Sequence, residues 1–451
     1  VGEIEMKTKW KMACMLLTIV SLLSGCFGEK KTLEPLKEGK ETLKVMCDDA
    51  DQFYRRYGNI FTVTHPSIDL DVISIVERGR KPEYEEILTL IEKHQPDVLL
   101  LDEGLLASYA QEGKLSSLEE MIAEDKFDLA EYTPGVIESL RAKGNGTLYA
   151  LAPHFTVPVL YYNRGLFEEN QIKLPHNKMS WQEVFDLSKR FEGMGAGENR
   201  VFGLSLDVMD TTDILRHISR TFSLSLFDTK AEKLLIHSDG WKRAVELATD
   251  AVRSKIVPFS NYYTDFINGK AAMVVAQPWM ISHCKTYGIK NLDWDMVTLP
   301  VDPKNPDESP HVQLEESCAI PAASPNKRAA WEFIKFINGP EMAKALSEYG
   351  LLPTRSPFLK EMDGKSMDPF YMLKPTSQTS YYGWYHRNVP REFSNSFTPL
   401  LEDALKAIVD NKKTVDEALA ELEVKGQDAL AIARTAKKKE KSSGTKATTG
   451  S

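Results

Sequence analysis

The chain has 451 residues, 42% apolar and 27% charged, with 65 Asp and Glu against 56 Lys and Arg. A single core stops growing near roughly 250–300 residues, so two lobes or domains are the default arrangement. The acidic balance argues against nucleic acid, which wants clustered Lys and Arg.

The first feature along the chain is an apolar run over residues 13–25, preceded by Lys7, Lys9 and Lys11 and closed by Leu23-Ser24-Gly25-Cys26. A spanning helix needs roughly 20 apolar residues. A shorter run with a basic flank and small residues before the cut describes a secretory signal. The closing four residues resemble the lipobox of bacterial lipoproteins, whose cysteine is acylated and becomes the mature N-terminus. The resemblance implies a signal peptide over 1–25 and lipid on Cys26, with translation expected to start at Met6. An ordinary signal peptide that contains a cysteine is the alternative. One acyl chain binds only marginally and two or more hold firmly. Residues 26–42 are charged and poor in large apolar side chains, as a flexible tether is.

"LKVMC" (43–47), "IDLDVISIV" (68–76) and "PDVLLLD" (96–102) read as buried strands, with a helix between the last two on Tyr84, Ile87, Leu88 and Ile91. Strands alternating with helices predict an α/β fold with mostly parallel sheets. "SWQEVFDLSKRF" opens on a capping box of Ser180 and Glu183. "SPNKRAAWEFIKFING" predicts a helix with Ser324 as N-cap and Pro325 at N1, ending before Gly339. Pro340 starts another helix that ends near Gly350. Thr414 and Glu417 form a second capping box, and the basic tail 437–451 is expected to be disordered.

Several motifs carry no chemistry. "GMGAG" (193–197) lies between a helix and the strand "VFGLSL", whereas a phosphate cradle needs a strand, then glycines, then a helix start. No calcium loop, GxSxG, HExxH or paired-cysteine spacing occurs. Cys14 leaves with the signal and Cys26 carries the lipid, so Cys47, Cys284 and Cys318 remain, an odd set that predicts buried free thiols. No metal and no cofactor is expected.

Three stretches in order carry a resemblance. The first is "LYALAPHFTVPVLYYNRGLFEE" (148–169) with "SWQEV", the second "FINGKAAMVVAQPWMI" (266–281). The third is "AIPAASPNKRAAWEFIKFI" (319–337), followed by "GLLPTR" and "TVDEAL". Together they resemble the sugar-type extracellular solute-binding proteins of ATP-binding-cassette importers, the family of maltose-binding protein, over residues 43 to 425. The resemblance implies a class II, two-lobe periplasmic-binding-protein-like fold, each lobe a mostly parallel sheet flanked by helices, with the ligand cleft between lobes. Its implied limits are 43–153 plus 312–355 for the N-terminal lobe and 154–311 plus 356–436 for the C-terminal lobe. Crossings fall near 153–156, 311–315 and Arg355.

Pro278 cannot continue a central ladder, so it ends the strand "AAMVVA" and puts Trp279 at a carboxyl end, where open α/β sheets bind ligands. A flat indole there suits the C–H face of a sugar; a core role is the alternative. The same position nominates Asp48, Asp49 and Asp51, then Asp102 and Glu103, then Asp207 and Asp210. Carboxylates there accept hydroxyl hydrogen bonds, with capping or solvation as the competing role. His154 and Phe155 lie at a crossing. Tyr382 and Trp384, in the aromatic stretch 376–386, are candidates for stacking or for an ordinary packed loop. The family usually has Gly where this chain has Gln277, and Leu101 stands where maltose-binding protein presents a stacking aromatic.

The implied function is a lipid-anchored monomer that captures a carbohydrate and delivers it to the permease subunits of an importer, without catalysis of its own. Two alternatives remain open. One is the same fold binding a polyamine or another non-sugar solute. The other is a secreted glycoside hydrolase, which needs a carboxylate pair about 5–5.5 or 6.5–9.5 Å apart.

Overall fold

Leu43, Val45, Met46 and Cys47 are all buried and make β1 (Glu41–Cys47) an inner strand. It pairs in parallel with β2 (Ile68–Ser74) and with β3 (Val98–Leu101). The helix Tyr84–His94 crosses between those two and buries Ile87 and Ile91, one turn apart. The structure, a computed structural model, describes residues 34–36, 38–76, 79–80, 82, 84–206, 210–257, 262–289, 292–355, 360–376 and 389–447. Everything below lies within the unit Gly39–Ser451.

The strands that follow are β4 (Ala150–Leu151), β5 (His154–Thr156), β6 (Val159–Asn163), β7 (Phe202–Ser205), β8 (Ala271–Ala276) and β9 (Trp294–Thr298). After them come β10 (Glu308–Ser309), β11 (Gln313–Glu315), β12 (Ser317–Ala319) and β13 (Leu352–Pro353). β10 pairs with Lys374–Pro375. One five-stranded sheet has the order β2-β1-β3-β12-β4, and one four-stranded sheet the order β7-β8-β6-β9. A three-stranded sheet, β11-β5-β13, is made from the segments expected to cross.

Both large sheets are mixed, which corrects the expectation of mostly parallel strands. β12 runs antiparallel to β3 and β4, and β6 runs antiparallel to β8 and β9. The cause is the crossings: β12 follows β11 with one residue between them and β6 follows β5 with two, so each enters its sheet from the crossing end.

Most local signals hold. β8 is buried at every residue, Gly269 takes φ 71° in the turn before it, and the ladder stops before Pro278. Ser180 and Glu183 form the reciprocal capping box, and Thr414 and Glu417 make the same bonds. Ser324, however, is not a cap. Its hydroxyl donates to Asp97 at 2.7 Å, and the helix begins later, at Lys327 with Asn326 as N-cap. The last helix runs Val415–Ala447 and carries helical backbone into the tail expected to be disordered. Extending an existing helix adds one bond per residue fixed, and Ala, Lys and Glu suit it. Cys47, Cys284 and Cys318 are buried free thiols. Burial pushes the first two up to about 12.

Candidate ligand site at the strand crossing

Alternation along β5 sorts its three side chains, since residues two apart share a face. Phe155 is buried and meets the Tyr371 ring edge-on, 5.3 Å between centroids. His154 and Thr156 take the other face. His154 Nε2 lies 3.1 Å from a Glu316 carboxylate oxygen, and the Thr156 hydroxyl donates to Gln277 Oε1 at 2.7 Å. The Tyr161 hydroxyl donates to the Gln277 carbonyl at 3.1 Å. One face of a three-residue strand thus joins the edge of the first sheet to the carboxyl end of β8.

Glu316 is the single residue between β11 and β12 and has φ 51°, a left-handed backbone that non-glycine residues rarely adopt. Its Oε1 accepts from Arg56 at 3.0 Å and its Oε2 from the Tyr57 hydroxyl at 2.5 Å. Burial raises this carboxyl, but contacts with His154, Tyr57 and Arg56 outweigh it and hold the group below the ordinary Glu range. The Tyr57 phenol is pushed well up by burial and then by Glu316, so it stays a donor. Arg56 and Tyr57 reach this position on the π-helical turn Tyr54–Gly58 that follows β1.

Asp48, Asp49 and Asp51 lie exposed at the end of β1. Asp49 caps the next helix, accepting from Gln52 N at 2.7 Å. Asp102 caps the helix Glu103–Gln111, accepting from Leu105 N at 2.9 Å. Glu103 accepts from Leu314 N of β11 at 3.2 Å and faces the buried Lys143 ammonium at 3.5 Å, so it ties the crossing to the first sheet. Asp210 caps the helix Thr211–Thr221 and lines a cavity of about 310 Å³ with Glu402, Lys406 and Asp410, none of them a crossing residue. Trp279 stands just before the helix Met280–Tyr287 with 38% of its surface exposed. Asp207, Tyr382, Trp384 and Cys26 lie outside the described residues.

The structure therefore brings together Arg56, Tyr57, His154, Thr156, Gln277 and Glu316, of which the sequence reading nominated only His154. The available signal was Glu316 itself, a charge wedged between a crossing strand and the apolar "SCAI".

The helix Thr211–Thr221 holds the crossing chain at His311. Its Nε2 lies 3.0 Å from the Thr221 hydroxyl, which also accepts from Trp181 Nε1 at 2.8 Å. Arg220 Nε donates to the Pro310 carbonyl at 3.1 Å, and the His217 ring stacks on His311. Burial, helped by Arg220, pushes His217 down to about 4 and His311 well below its ordinary value.

The family described as bacterial extracellular solute-binding protein matches residues 76–369, more than half of the chain. The chain belongs to that family. Membership in this solute-binding family implies an extracytoplasmic place of work, and the family is one of binding proteins. Among the described residues no helix is long and apolar enough to cross a membrane.

Similar proteins include the sn-glycerol-3-phosphate-binding periplasmic protein UgpB of Brucella abortus, 29% identical over 126 residues. That match covers 27% of this chain and 29% of UgpB, so the chain spans under a third of that relative's length. The mannitol-binding protein of Pseudomonas aeruginosa is 22% identical over 53% of this chain and 56% of its own. Among solved structures, the sugar-binding protein MalE of Xanthomonas citri superposes with a TM-score of 0.66 at 19% identity, covering 88% of this chain and 99% of that one. A sugar transporter of Rhizobium etli in an open conformation gives 0.64 at 20% identity, over 86% and 99%. At such identity the likeness shows the fold, and the fold of this solute-binding protein is the two-lobe α/β class II arrangement.

Proposed function

We propose that this solute-binding protein captures a carbohydrate, closes on it by a hinge at the β11-β5-β13 crossing, and hands it to the permease of an ATP-binding-cassette importer. The observation that carries the reading is the polar face of β5, where His154 meets Glu316 and Arg56 and Thr156 meets Gln277, two residues before the exposed Trp279. A carboxylate, a side-chain amide and an exposed indole are the pieces that hydrogen-bond hydroxyls and cover an apolar ring face. The names of the mannitol-binding and sugar-binding relatives support the same class of ligand.

In this reading the first lobe comprises 43–153 with 312–355 and the second 154–311 with 356–436. Signal peptide 1–25 is removed, lipid on Cys26 holds the monomer to the membrane, and 26–42 is the tether. The chain works without catalysis and without metal or cofactor. A polyol phosphate is a second reading, favoured by the glycerol-3-phosphate-binding relatives. Against it, the Arg56 charge is already matched by Glu316.

A thermal-shift screen against sugars, polyols, polyol phosphates and polyamines tests the reading. Ligand at 100 times its dissociation constant stabilises the native state by about 2.7 kcal/mol. A shift with sugars or polyols is expected; a shift with polyamines alone would overturn the carbohydrate class.

A further inference from the structure

Exposed aromatic side chains on this molecule are not all scattered. Trp279, His283 and Tyr287 fall at i, i+4 and i+8, which puts them on one face of the helix Met280–Tyr287. Met280, Ile281 and Cys284 fill the buried side of that helix, and Lys285 pairs with Asp363 on another side. Trp279 is 38% exposed, His283 is half-buried and Tyr287 is 64% exposed, so the row ends on its most exposed ring. Ring centroids are 4.7 Å apart from Trp279 to His283 and 5.4 Å from His283 to Tyr287. Tyr263, from the neighbouring helix Tyr262–Ile267, meets both Trp279 and His283 edge-on at 5.6 and 5.8 Å. His283 Nδ1 lies 3.2 Å from the Trp279 carbonyl.

Single exposed apolar residues are ordinary, but a held row of rings on an exposed face is not. Edge-on contact with Tyr263 fixes the first two rings before anything binds, which lowers the ordering cost of a ligand. Successive rings are inclined by 68° and 56°, so the row turns as it advances and offers no single flat plane. Stations spaced about one pyranose ring apart, with faces that turn, fit a chain of linked sugars better than one compact solute. The row also begins at the residue proposed to stack the captured ring.

We infer that His283 and Tyr287 form an outward subsite that continues the Trp279 platform and receives the projecting units of an oligosaccharide. This rests on the carbohydrate reading above, and it adds that ligand length is recognised outside the crossing.

The test is calorimetric titration of the exported domain with glucose, D-mannitol, and α-1,4- and β-1,4-linked gluco-oligosaccharides of two to six units. Wild type, Trp279→Ala, His283→Ala, Tyr287→Ala and Tyr287→Phe are compared. Tyr287→Ala should weaken the longer members of the bound series by about 3- to 10-fold, with Tyr287→Phe close to wild type and the shortest ligand unaffected. Trp279→Ala should weaken every length. Affinity that does not grow with length, or His283→Ala and Tyr287→Ala both neutral at every length, overturns the subsite and leaves the carbohydrate reading standing. A wild-type protein that binds none of these probes removes both.

Discussion

Two tryptophans of opposite surroundings separate binding from stability. Trp279 is 38% exposed just past the end of β8, and Trp331 is fully buried with its Nε1 donating to Asp125 at 2.9 Å. Truncating Trp279 to alanine should weaken carbohydrate binding by roughly 30- to 1,000-fold, equivalent to about 2–4 kcal/mol, and leave the unliganded melting temperature nearly unchanged. Trp331→Ala should instead cost about 3–5 kcal/mol of stability through the cavity it leaves. Calorimetry and melting of both variants check the assignment; swapped phenotypes would put the site elsewhere. Glu316→Gln is a second case at this scale. It removes the charge that Arg56 and His154 face, and it should destabilise by about 1–3 kcal/mol in urea unfolding. Because the folded Glu316 carboxyl lies below its ordinary value, its contribution is present at neutral pH and fades as acid protonates it.

At the scale of elements, the helix Thr211–Thr221 and the segment before β11 share a stacked histidine pair, His311 buried and His217 half-buried. His217 is held at about 4 against an ordinary value of 6.5, so the unfolded chain binds the proton more readily. Its stability is therefore whole above about pH 6.5 and is lost as pH falls toward 4, by an amount of order 3 kcal/mol. Melting measured from pH 7 to 4.5 should fall less steeply in His217→Gln than in wild type. Parallel curves would remove His217 as the cause. What could be read from the sequence at this scale was whatever is settled within about a dozen residues. β1, β2 and β8 announce themselves as apolar runs, Pro278 as a stop, and Ser180–Glu183 as a helix start. Ser324 misled because its hydroxyl is taken by Asp97, 227 positions away. Arg56 and Glu316 are 260 positions apart and meet only once both β1 and β11 are in their sheets. Strand direction was likewise invisible, since antiparallel pairing at β12 and β6 follows from where the chain crosses.

For the whole molecule, β5 and β11 of the β11-β5-β13 sheet each lie in chain order between strands of the two larger sheets, and closure about that sheet is the proposed working motion. The same reading places the protein at a membrane by lipid. Cys26→Ser should release it into the soluble fraction after cell disruption, and equal membrane retention would refute the anchor. No structural disulfide is needed with three buried free thiols, so mass spectrometry under non-reducing conditions should find Cys47, Cys284 and Cys318 unpaired. The most direct measurement of the central claim is calorimetric titration of the exported domain with the best sugar or polyol from the screen, with the sample analysed for products afterwards. Saturation at one ligand per chain with the sugar recovered intact is the predicted result. Turnover of the sugar, or no heat with any carbohydrate, would contradict it.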